Sequence, residues 1–160
     1  MNTFDQSFDR LMVLEGGYTP GAGDPGGETK WGLSKRCYPD LNIASLTREQ
    51  AKEIYMRDFW TRAKMDQYDP AVAFQVFDFA VNSGIETAIR KMQRAAGVAD
   101  DGHVGPITVA ALKAMTVTDF VMLYVAERLD YWTRLSNWQT AGKGWARRAA
   151  ADLRYAAADT

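Results

Sequence analysis

Apolar residues mark the chain out as a string of helices. Phe4, Phe8, Leu11, Met12 and Leu14 recur at helical spacing, so the chain should open with an amphipathic helix, stopped by Gly16-Gly17. From Tyr18 to Ser34 the helical period is lost, and Tyr18-Thr19-Pro20-Gly21-Ala22-Gly23-Asp24-Pro25-Gly26-Gly27 is dense in turn formers. Residues around Tyr18 and around Thr29-Lys30-Trp31 are suited to short strands, which predicts a small β-hairpin or an ordered loop. Helices then resume. Thr47-Arg48-Glu49-Gln50 has the form of a capping box, opening a helix to about Trp60. Asp69-Pro70 supplies an N-cap and a first-turn proline, and Ala71 to Val81 is apolar on nearly every side, as a buried central helix would be. Ser83-Gly84-Ile85-Glu86 reads as a second capping box for a helix closed by Gly97. Pro106 starts another helix to about Met115, Thr118 a longer one to about Leu135, and the last is expected from near Gly144 to about Ala158. The fold class is therefore mostly α, with one small β element.

Length and composition narrow the class. The chain has 160 residues, 47% of them hydrophobic and 12% aromatic, enough to bury a core and too apolar for disorder. A net charge of −1 with no basic run gives no footing for nucleic acid. One cysteine, Cys37, excludes an internal disulfide and reads as a buried small hydrophobe. With His103 the sole histidine, and on a loop, the set of Cys and His is too small for a zinc site, so no metal or cofactor is expected. No apolar run approaches the roughly 20 residues that span a bilayer, so stable membrane insertion is not expected. Met1-Asn2-Thr3-Phe4-Asp5 lacks the form of a secretory signal, so the expected location is the cytoplasm, with any action elsewhere needing a separate exit.

Chemistry concentrates near the N-terminus. Glu15 falls at the end of the first helix, where the helix dipole and aromatic neighbours both favour the protonated carboxyl, and the glycines that follow let a polymer approach closely. A proton-bearing carboxyl can protonate a leaving glycosidic oxygen. A solvated glutamate at a helix end is the plainer alternative. Asp24 and Thr29 follow on the glycine-rich stretch. Two carboxyls facing each other across a water are the apparatus of an inverting glycosidase, and Thr29 could hold that water. Turn chemistry alone also accounts for Asp24, and β propensity for Thr29. Tyr18, Trp31, Tyr55 and Trp60 are candidates for the flat faces that bind sugar rings, and Asn82 for a hydrogen bond to an N-acetyl group, although aromatics fill cores as well. Gln93, with Asp101-Gly102, is a candidate for substrate binding, against ordinary turn chemistry for the Asp-Gly pair.

The pair of motifs Glu15-Gly16-Gly17-Tyr18 and Asp24-Pro25-Gly26-Gly27-Glu28-Thr29-Lys30-Trp31-Gly32-Leu33-Ser34 resembles the signature of the glycoside hydrolase 108 family, peptidoglycan muramidases common among phage endolysins. Phe77-Asp78-Phe79-Ala80-Val81-Asn82-Ser83-Gly84 is similar to that family too. Gln93-Arg94-Ala95-Ala96-Gly97-Val98 and Asp101-Gly102-His103-Val104-Gly105-Pro106-Ile107-Thr108 resemble the peptidoglycan-binding segment that often follows. The Glu/Asp/Thr order is also similar to the triad of T4-type phage lysozymes, with the interval from Asp24 to Thr29 one residue shorter.

The resemblance implies a lysozyme-like helical fold with the hairpin or loop near the active site. It implies a muramidase region over residues 1–91, with residues 92–160 a helical peptidoglycan-binding region packed on it as one globular unit. It implies an N-acetylmuramidase cutting the bond between N-acetylmuramic acid and N-acetylglucosamine, with Glu15 as the acid, bacterial peptidoglycan as the partner, a monomeric state, and release from the host cytoplasm to the periplasm through a holin pore. Two other classes stay open at this point: a lytic transglycosylase, which uses the substrate's own 6-hydroxyl in place of water, and a wall-binding module without catalysis.

Overall fold

The structure, a computed structural model, describes residues 3–15, 17–21, 23 and 26–160. The chain divides into two compact units, residues 1–61 and 62–160. Among the described residues the architecture is mostly helical with one two-stranded antiparallel hairpin, as the apolar pattern predicts.

In the first unit, α1 (Thr3–Leu14) buries Phe4, Ser7, Phe8 and Leu11, a stripe at the helical period. Burying each of the three apolar side chains stabilises the fold by roughly 1.5–3 kcal/mol. The stripe is covered by α2 (Arg48–Tyr55) and by its continuation as a π-helical turn, Met56–Trp60. Phe8 lies 5.9 Å from Tyr55 and Phe4 5.3 Å from Trp60, ring centre to ring centre. The ion pairs Asp5–Lys52 and Asp9–Arg48 make the two helices antiparallel. Thr47 begins α2 through the expected reciprocal box with Gln50.

The hairpin joins β1 (Thr29–Lys30) to β2 (Leu33–Ser34) with Thr29 opposite Ser34 and Lys30 opposite Leu33. Its two-residue tip is Trp31-Gly32, both at positive φ (54° and 78°), as a type I′ turn requires. The pairing expected between the Tyr18 region and Thr29 exists as a single bridge, Thr19 to Thr29, while the second strand is Leu33–Ser34. Cys37 is exposed, not buried.

In the second unit, α3 (Pro70–Ser83) is capped by Asp69 and buries all ten residues from Ala71 to Ala80. It packs against α4 (Ile85–Ala95), α6 (Val117–Thr133) and α7 (Trp138–Asp159); α5 (Pro106–Ala114) precedes α6. Two expected boundaries move. Ser83 is no cap: α3 runs through it, its hydroxyl donates to Asn82 Oδ1 (2.8 Å), and Gly84 at φ 91° both ends α3 and precedes α4. The last helix begins at Trp138, six residues before Gly144, which lies inside it, and the earlier glycine packs on the first residue's ring. A Cβ on Gly142 would come within 2.7 Å of the Trp138 ring. Among the described residues no single helix is long and apolar enough to cross a membrane.

Candidate active site

Glu15 extends the buried stripe of α1. It stands seven residues after Phe8 and four after Leu11, so it projects from the same face, and its N–H still donates to Leu11 O (2.9 Å). The half-buried carboxyl meets the tip of the hairpin. A Cβ on Gly32 would collide with the Tyr55 hydroxyl and lie 3.1 Å from both Cγ and Oε2 of Glu15. Only a glycine permits that approach, and its φ of 78° suits glycine as well.

The turn is tied down from two sides. Tyr55 Oη donates to Trp31 O (2.9 Å), and Trp31 Nε1 donates to Leu46 O (3.0 Å). Behind the tip, Thr19 and Thr29 exchange both backbone hydrogen bonds, at 2.8 and 3.0 Å. Thr29 is half-buried and its hydroxyl donates to Gly27 O (3.2 Å), which leaves the oxygen able to accept. Tyr18 is exposed and donates to Glu28 Oε1 (2.8 Å); that hydrogen bond to a carboxylate, more than any burial, pushes the phenol above its ordinary value. Asp24 lies outside the described residues, as do Gly16, Ala22 and Pro25.

The expected sugar-binding aromatics separate into two groups. Tyr18 is exposed and Trp31 half-buried, while Tyr55 and Trp60 are wholly buried, their rings packed against Phe8 and Phe4. A cavity of about 570 Å³, lined by Phe4, Asp5, Lys52, Glu53, Met56 and Arg57 among others, opens near the start of α1. Ten residues of chain, about 15 Å if helical, separate its Asp5 from Glu15, so the candidate acid does not line this hollow.

Asn82 and Gln93 belong to the second unit. Asn82 Oδ1 accepts from Ser83 Oγ and from Trp132 Nε1 (3.1 Å), and among the described residues its Nδ2 has no hydrogen-bond partner. Gln93 is 1% exposed. Its Nε2 faces Asp101 Oδ1 (2.8 Å), His103 O (3.0 Å) and Thr108 Oγ1 (3.2 Å), and its Oε1 accepts from the Gly102 N–H (2.9 Å). In this arrangement Gln93 fastens the loop from Asp100 to Gly105. The His103 N–H and the Gln93 amide also hold the Asp101 carboxyl below its ordinary range.

Sequence reasoning missed two features. Gly32 has no assigned role on sequence grounds, although a glycine beside a tryptophan between two short strands is the signal of such a turn. The second is a buried ionic cluster on α3, α6 and α7. Arg128 Nη2 donates to Asp78 Oδ2 (2.8 Å) and Nη1 to Asp152 Oδ2 (2.7 Å), with all three side chains fully buried. Arg148 Nε donates to both oxygens of Asp78, at 3.0 Å each. Phe79 and Trp132 place their rings 4.8 and 4.9 Å from the Arg128 guanidinium. Burial pushes Asp78 up, but Arg148 and Arg128 more than offset it and hold the carboxyl below its ordinary value. Asp152 has one arm of one arginine and is pushed up to about 8, by burial and by the neighbouring Asp78. Arg148 is thus turned inward, onto Asp78. The one sequence clue to the cluster was Asp78 itself, a charge within an apolar run.

The chain is mostly helical and presents the Glu15 carboxyl at a helix end, beside a glycine-tipped hairpin. Residues 8–84, somewhat less than half the chain, match the model of the family described as Glycosyl hydrolase 108, and this segment carries Glu15, Thr29 and Trp31. Among solved structures the chain is similar to Brucella abortus SagA, with a TM-score of 0.89 and 29% identity, covering 98% of this chain and 94% of that one. No curated protein matches the chain in sequence.

Proposed function

We propose that this protein is an N-acetylmuramidase that hydrolyses the bond between N-acetylmuramic acid and N-acetylglucosamine in bacterial peptidoglycan. The observation that carries the reading is the carboxyl of Glu15, half-buried at the end of an apolar helix face and pressed against Gly32, within the segment that matches a glycosyl hydrolase family. In the proposed reaction Glu15 donates its proton to the glycosidic oxygen as the bond to C1 breaks. Asp24 takes a proton from the water that attacks C1 from the opposite face, and the Thr29 oxygen helps to place that water. Tyr18 and Trp31, exposed and half-exposed beside the glycine-rich stretch, offer ring faces to the glycan. Residues 92–160 are proposed to assist in holding the wall, and the endolysin role is proposed with them.

The test is Glu15→Gln, isosteric and without the transferable proton. The purified variant should melt as the parent does and clear permeabilised Gram-negative cells at least about a hundredfold more slowly. Retention of a tenth or more of the parent rate would sink the assignment. Mass spectrometry of fragments released by the parent decides the chemistry: reducing ends mean hydrolysis, and anhydro ends mean a lytic transglycosylase.

A further inference from the structure

Tyr55 was expected to offer a ring to substrate, yet its ring is 0% exposed. Phe8 and Phe59 lie 5.9 and 5.4 Å from it, centre to centre, so the core fixes where its hydroxyl goes. That hydroxyl donates to Trp31 O at 2.9 Å, at the tip of the hairpin. The next residue, Gly32, fills the remaining space so tightly that a single methyl there would meet both the Tyr55 hydroxyl and the Glu15 side chain. Hydroxyl, turn and carboxyl are therefore in register, with no slack between them. Tyr55 is also the last residue of α2 before the helix widens into the π turn Met56–Trp60, a local departure that commonly accompanies functional positions.

We propose that Tyr55 is a positioning residue for Glu15: its buried hydroxyl clamps the Trp31-Gly32 turn against the carboxyl and so fixes the angle at which the acid meets the glycosidic oxygen. The assignment rests on Glu15 being the acid of the proposed muramidase. It gives the tyrosine a role that neither core packing nor sugar stacking supplies. Packing needs the ring alone, and a buried ring stacks on no substrate. Without the hydroxyl the Trp31 carbonyl loses its donor, the turn gains room beside Gly32, and the Glu15 carboxyl gains orientations that are unproductive for proton transfer.

The experiment compares Tyr55→Phe with Tyr38→Phe. The second variant deletes another tyrosine hydroxyl of the same unit, one that donates to Asp58 Oδ2 (2.9 Å) and lies outside the proposed catalytic and binding machinery. Both variants are checked by thermal melting and assayed on a soluble glycan fragment of the wall. Tyr55→Phe should remain folded and lower kcat by about 10- to 100-fold with KM within about twofold, the range expected when a reacting group is misplaced. The high-pH limb of its rate profile, which reports the group that must carry a proton, should move by about half a pH unit or more. Tyr38→Phe should keep the parent's kcat and pH profile. A Tyr55→Phe enzyme with the parent's kcat and pH limb, or one that loses no more activity than Tyr38→Phe, overturns the proposal. Glu15→Gln separates the two ideas. If it is inactive while Tyr55→Phe behaves as the parent, the clamp alone is wrong; if it is active, the acid assignment fails and the clamp with it.

Discussion

Removing the titrating group at Asp152 should flatten the dependence of stability on pH. Asp152 is fully buried on α7, holds only one arm of Arg128, faces the carboxyl of Asp78 on α3, and lies near Arg148 of its own helix and Tyr124 of α6. Its pKa in the folded chain is pushed up to about 8, whereas an aspartate in the unfolded chain titrates near 4. Between those values the native state binds one proton more than the unfolded state. A raised pKa thus costs stability as pH climbs from the unfolded value to the folded one, with a slope of up to about 1.4 kcal/mol per pH unit. Asp78 has the opposite sign: its depressed pKa supplies stability that is lost only as pH falls below about 4, outside the window. Asp152→Asn keeps an oxygen for Arg128 and adds a donor toward Asp78 without any titration. Urea unfolding of parent and variant, followed by tryptophan fluorescence at pH 5.0, 6.0, 7.0 and 7.5 (about 2.5 units of span), is the assay. The two should match within about 1 kcal/mol at the acid end, and the variant should be roughly 2–3 kcal/mol the more stable at the alkaline end. Parallel lines across the range, or a variant weaker than the parent at the alkaline end, would show that Asp152 is ionised throughout and that the charge balance assigned to the cluster is wrong.

Asp24→Ala should remove most wall hydrolysis, and a crystal structure should place its carboxyl across a cleft from Glu15 at roughly 6.5–9.5 Å; carboxyls facing opposite sides of the protein would exclude Asp24 as the partner of the attacking water. Gln93→Ala should cost about 2–3 kcal/mol in thermal or urea unfolding, because it strands buried groups around Gly102 and Thr108. A variant with the parent's stability but weak sedimentation with insoluble wall would instead make Gln93 a wall contact. A fragment ending near Ala96 should be insoluble or unfolded, since it strips α6 and α7 from the buried α3; a soluble fragment with a cooperative melt and full activity would contradict this.

Legibility followed the range of the interactions. The stripe of α1, the box at Thr47, the Asp69-Pro70 start and Gly97 at φ 71° after α4 were readable because each is settled within one or two turns of chain. The same rules misled at Ser83 and at Gly144. Ser83 has a tertiary partner in Trp132 Nε1, and Gly144 lies inside α7, which begins at Trp138 with Gly142 leaving room for the indole. Glu15 was readable as a candidate from its motif, whereas Tyr55 looked like any aromatic of α2 until its hydroxyl was seen against Trp31, 24 residues away in sequence. The cluster around Arg128 was beyond reading for a similar reason: Asp78 meets Arg128 and Arg148 across 50 and 70 residues, and no local pattern encodes such pairs.

The backbone of Trp31 has a bearing on how this sequence would respond to selection. A tryptophan at φ 54° sits where asparagine or glycine is comfortable, and a bulky side chain in that conformation carries strain on the order of 1–3 kcal/mol. Random libraries screened for survival of heating should therefore enrich glycine or asparagine at this position, relaxing the turn while discarding the indole. Libraries screened for clearing of cell wall should keep the tryptophan. Heat tolerance and turnover would then pull in opposite directions at a single codon, and thermostabilised descendants of this chain should be the ones to check first for lost activity.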